Sequence, residues 1–160
     1  MKLIRSLPLL AFGLVLVACG SNPTHNRAIE NLNEKLARDY SPVRYVTRPH
    51  KNGTVTEAEW AGEPRASAVY NSDILYRDTL AAFEKMCGYT LKDVSQTRFV
   101  SEEGPIVHEV WVFSDPDSER ADKTSGISLI LERLPDNGGT NIRLTGHCHS
   151  PRMAQFFAAK

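Results

Sequence analysis

The chain has 160 residues, 19 basic against 19 acidic side chains, 41% hydrophobic residues and three cysteines. That length suffices for one domain with a modest core, and the charge balance, with no basic stripe, argues against nucleic acid as a partner. No P-loop or G-x-G-x-x-G occurs, so nucleotide use has no support, and no repeat or low-complexity tract is visible.

Lys2 and Arg5 precede an apolar stretch over 7–18, far short of the roughly 20 residues needed to cross a bilayer. Residues 1–18 therefore read as a targeting segment. The stretch ends in Leu16-Val17-Ala18-Cys19, which resembles the lipobox of bacterial lipoprotein precursors. The resemblance covers residues 1–19 only. It implies that the Cys19 thiol receives a diacylglycerol, that the leader is cut just before it, and that the new amino terminus is acylated. Gly20 and Ser21 follow, without the Asp that tends to retain enterobacterial lipoproteins at the inner membrane. The implied address is thus the outer membrane of a Gram-negative envelope, on either its periplasmic or its surface face. The other reading, a buried or disulfide-bonded Cys19 after ordinary cleavage, suits the polar segment behind it poorly. Loss of the leader removes Lys2 and Arg5, leaving 17 basic against 19 acidic residues.

Residues 19–26 read as a lipidated tether and 27–160 as a single domain. Over 27–40, Ile29, Leu32, Leu36 and Tyr40 form a narrow stripe at helical spacing, so an amphipathic helix is expected, stopped by Ser41-Pro42. Its stripe either docks on the protein's own body or presents Ile29, Leu32 and Leu36 to a partner. Asn52-Gly53 then signals a two-residue hairpin turn. With that turn, Arg48 opposes Glu57 and Tyr45 opposes Trp60, and Pro49 must sit where no ladder hydrogen bond is needed. Residues 61–67 read as a connection.

Ser72 suits an N-cap for a helix over 73–87, with Gly88 just past its end. Strands are expected near 94–100, 106–113, 127–134 and 140–147, separated by turn-forming residues and by a charged loop over 114–125. Apolar residues on both faces of the 106–113 strand mark it as central. The expected fold is α+β: an antiparallel sheet of four or more strands with a helix packed on one face, plus the N-terminal amphipathic helix. In the oxidising space that the lipobox implies, Cys87 and Cys148 should pair. Cys87 continues the helix stripe of Tyr76, Leu80 and Phe83, and Cys148 alternates inward with Ile142 and Leu144.

Candidates for chemistry are few. There is no G-x-S-x-G elbow, and the carboxylate pairs Glu57/Glu59 and Glu102/Glu103 fall where solvated faces or turns are expected. His147 and His149 are two apart on a strand and share a face, so both imidazoles are arranged to take one copper or zinc ion, with His108 as a third ligand; the competing reading is two solvent-facing histidines. Asp115, Asp117, Glu119 and Asp122 miss the EF-hand pattern, because its central glycine is absent and Gly126 stands at the last ligand position. They read as a charged, solvated loop. The expected function is a non-enzymatic, lipid-anchored envelope protein that needs no cofactor and tethers a protein partner. The alternative is a periplasmic metal-binding lipoprotein.

Overall fold

The computed structural model describes residues 23–148. Helix α1 (Pro23–Arg38) begins on a proline, whose fixed φ suits the first helical position. Residues 23–26 are therefore helical rather than part of an extended tether. The leader, the lipobox and Cys19 lie outside the described residues.

What ends α1 is a left-handed residue rather than Ser41-Pro42 alone. Tyr40 takes φ 52, its N–H donates to the Ala37 carbonyl at 3.1 Å, and the Ser41 N–H donates to the Leu36 carbonyl at 2.8 Å. These two bonds are a Schellman motif with tyrosine where glycine is usual, a choice that costs roughly 1 kcal/mol of backbone strain.

Strands β1 (Val43–His50) and β2 (Gly53–Trp60) form a hairpin that is a sheet by itself. Its register departs from the expected one by two residues. Lys51 and Asn52 make the loop, His50 faces Gly53, Arg48 faces Val55, Tyr45 faces Ala58 and Trp60 faces Val43. A slip of two leaves every side chain on its face, so alternation cannot choose between the two pairings. Arg48 still reaches Glu57 diagonally at 3.6 Å and also bonds Glu59. Pro49 stands on the same parity as Tyr45, whose backbone points away from β2, so no ladder bond is lost there.

The body is a five-stranded antiparallel sheet in the order β3 (Glu63–Pro64), β4 (Val94–Glu103), β5 (Ile106–Ser114), β6 (Thr124–Arg133), β7 (Thr140–Gly146). Helix α2 (Asp73–Cys87) is capped by the Ser72 hydroxyl, which accepts from the Leu75 N–H, and by Gly88 at φ 70. It packs on the sheet face that carries Val107, Trp111, Phe113, Ile127 and Leu129, with Phe83 and Cys87 fully buried in that layer. Each such buried aromatic contributes on the order of 2–3 kcal/mol. Cys87 and Cys148 stand at disulfide distance, with Cα atoms 5.4 Å apart, joining the end of α2 to the chain beyond β7.

The opposite face of the sheet is covered by the base of the hairpin. Ala61, Val110 and Val112 form a second, smaller core with Trp60 and Val100. Both faces of β5 are thus buried, as a central strand requires, and the fold is α+β.

Candidate functional site

Polar groups on and beside β5 are spent on holding the fold. His108 is 2% exposed, its Nε2 lies 2.9 Å from the Ser128 hydroxyl, and Tyr40 closes over it. Burial alone pulls its pKa down to about 4, so the ring is neutral. Glu109, also 2% exposed, accepts from the Ala68 N–H at 2.7 Å, from the Trp111 indole at 3.2 Å and from the Ser67 hydroxyl. Its carboxylate therefore pins the connection between β3 and α2 to the sheet.

Asp115 corrects the expectation of a solvated loop over 114–125. It is buried and accepts from Tyr89 Oη at 2.7 Å, Ser125 Oγ at 2.6 Å and the Asp117 N–H at 3.1 Å. Ser118 is buried too and donates to the Thr124 carbonyl at 2.7 Å. Asp122 also accepts from Arg120 and Thr124 in its own loop, while Asp117, Glu119 and Asp122 stay exposed, as expected of a charged, solvated loop.

His108 does not join His147 as a metal ligand. His108 faces Ile130, which faces Arg143 on β7, whereas His147 follows Gly146, the partner of Ile127. The two histidines are separated by four positions along β7 and by two strands across the sheet, which at about 3.3 Å per residue puts them beyond a shared coordination sphere. His108 is moreover sealed under Tyr40. His147 lines a small cavity of about 200 Å³ with Trp60, Arg120 and Gly126, and His149 lies outside the described residues. Among the described residues no three His, Cys, Asp or Glu side chains are gathered as metal ligands.

Two openings run along α1 and β1. Asn33 clamps the outer edge of β1: its Nδ2 donates to the Tyr45 carbonyl at 2.8 Å and its Oδ1 accepts the Tyr45 N–H at 2.8 Å. On one side of this clamp is a groove of about 470 Å³, lined by Asn26, Ile29, Tyr45, Thr47 and Pro49. On the other is one of about 590 Å³, walled by Ala37, Val43, Ala61, Phe99 and Val100. Arg44 lines both, paired to Glu59 at 3.8 Å and Glu63 at 3.6 Å, while its buried Nε has no hydrogen-bond partner among the described residues. By the alternation of the ladder, the Thr47 backbone also points away from β2, into this edge. The expected α1 stripe is divided here: Ile29 and Leu36 are half-buried, and Leu32 stays 38% exposed.

Sequence reasoning passed over Asn33, Arg44 and the Trp60–Gly126 contact. A Cβ on Gly126 would meet the Trp60 ring at 2.4 Å, the Trp60 indole donates to Thr124 Oγ1 at 3.0 Å, and Arg120 stacks on the same ring at 4.3 Å. A glycine inside an apolar strand was the available signal of a close approach. No helix among the described residues is long and apolar enough to cross a membrane. No protein-family model matches this chain, and no curated protein or solved structure matches it either.

Proposed function

We propose that the chain is a lipid-anchored, non-enzymatic protein of the Gram-negative outer membrane, and that it holds an extended segment of another envelope protein in the groove between α1 and β1. The observation that carries this reading is the groove itself. It runs along a strand edge held by side chains, Asn33 at Tyr45 and Ser41 at the Val43 N–H, it has apolar walls, and Arg44 lines it on both sides of the Asn33 clamp. An added strand supplies carbonyls and N–H groups to such an edge and places alternate side chains in its pockets. The acyl chains on Cys19 supply the anchor, since several together hold far more firmly than one.

A photo-crosslinking residue placed at Ala37 in living cells should give an adduct with one envelope protein, and the same residue at the exposed Lys85 of α2 should not. Arg44→Ala should weaken the adduct. Cys19→Ser should leave an unlipidated precursor or a soluble form. Recovery of the protein alone from the Ala37 position would remove the groove as the binding site, and unchanged membrane attachment of the Cys19→Ser form would remove the anchor.

A further inference from the structure

The same anchor reading, combined with where α1 begins, leads to an orientation on the membrane. Only Gly20, Ser21 and Asn22 separate Cys19 from the first residue of α1. Fully extended, four Cα steps reach about 14 Å, so the first turn of the helix cannot leave the neighbourhood of the headgroups in which the acyl chains are rooted. A tether over 19–26 would have allowed about twice that distance and every orientation of the domain.

That first turn is level with the tip of the hairpin. His25 Nε2 lies 3.0 Å from Thr56 Oγ1, and Asn26 and Ile29 share a groove with Pro49 and Thr54. The base of the hairpin is at the other end, fixed to the body by the Ala61 N–H, which donates to the Pro42 carbonyl at 2.8 Å, and by Trp60 against Gly126. An eight-residue strand spans roughly 25 Å at 3.3 Å per residue. The α1–hairpin arm is therefore a post of that length, with the lipid at one end and the five-stranded body at the other.

Charge at the lipid end suits phospholipid. Residues 23–27 and 48–54 include Arg27, Arg48 and Lys51 and no Asp or Glu, Glu30 being the acidic residue of α1 that lines the adjoining groove, whereas the mature chain as a whole has more acidic than basic residues. Arg48 is held by Glu57, but Lys51 and His50 stand exposed at the loop. One or two cations bind a membrane weakly by themselves. Once the acyl chains confine the domain to the surface, the same contacts act at high effective concentration and set its orientation.

We infer that the hairpin loop, residues 50–53, rests with the first turn of α1 on anionic phospholipid headgroups, and that the arm stands the body off the bilayer with α2 on the side away from the hairpin base. The inference rests on the lipid-anchor reading. It is tested with the mature, lipidated protein in vesicles of phosphatidylethanolamine and phosphatidylglycerol, labelled with a fluorophore at Asn52→Cys or at Lys85→Cys and exposed to a headgroup-bound quencher. The Asn52→Cys label should be quenched several-fold more than the Lys85→Cys label, and a long Gly/Ser insertion after Ser21 should remove the difference. Equal quenching on a protein whose N-terminal peptide has the mass of the diacylglycerol form overturns the orientation and leaves the anchor standing. A mature peptide without that mass overturns both.

Discussion

The Tyr40 ring stands edge-on to the His108 imidazole with centroids 5.2 Å apart, and the Arg143 guanidinium stacks on the same ring at 4.9 Å. Tyr40 is also the left-handed residue that ends α1. One residue therefore turns the chain out of the helix and seals that end of the arm against the sheet, and its ring contacts offset the strain of a tyrosine at a glycine position.

His108 makes stability depend on pH. Its folded pKa of about 4 lies below the ordinary 6.5, so between those values the unfolded chain takes up a proton that the folded chain excludes. Stability is then complete above the ordinary value and declines as pH falls toward the folded one. The decline attributable to this group is on the order of 2–3 kcal/mol. Urea midpoints compared at about pH 7 and about pH 5 should drop for the natural protein and drop less for His108→Leu; equal drops in both would assign the effect elsewhere.

Asn33 acts as a piece of strand. Replacing it with Ala removes both bonds to Tyr45 and should loosen α1 from the hairpin by about 1–2 kcal/mol. Hydrogen exchange reads this directly: the Tyr45 amide should lose protection while amides of the central β5 keep theirs. A uniform loss across both would instead mean that the arm and body unfold together.

Gly126 is required by Trp60. Gly126→Ala places a methyl where the ring lies at 2.4 Å and should cost about 1–3 kcal/mol through overpacking. Combined with Trp60→Ala, the glycine substitution should become nearly neutral. Thermal denaturation of the two single variants and the double variant gives the coupling, and simple additivity would show that the contact is not the cause.

Pairing of Cys87 with Cys148 closes a loop across 61 positions, which by chain entropy stabilises the fold by about 4 kcal/mol. Reductant should lower the urea midpoint of the natural protein and leave the Cys87→Ala/Cys148→Ala form unmoved. Labelling of both thiols in denaturant without reductant would show that they are not joined.

Much of the body was legible in sequence because it follows from local rules. The 73–87 helix between Ser72 and Gly88 has a cap, an apolar stripe and a glycine stop, each readable within a few residues, and it appears with those bounds. The central place of β5 was legible because a strand apolar on both faces must be covered on both. The hairpin register was not, since a two-residue slip preserves alternation and the turn residues Asn52-Gly53 point to the neighbouring pairing.

The sequence alone was sufficient for the α+β class, the helix with its caps, the central strand and the inward placement of the two cysteines, all of which depend on periodicity and local turn chemistry. Tertiary structure decided what long-range contacts control. Trp60 can seat only where Gly126 leaves room, and β2 is registered accordingly. His108, read as a metal ligand, became a buried neutral ring because Tyr40 closes over it from a distant helix end. Asp115, read as a solvated charge, was drawn inside by hydroxyls of Tyr89 and Ser125. A polar side chain has no periodicity of its own to announce its partners, so its role is set by which donors the fold brings within about 3 Å.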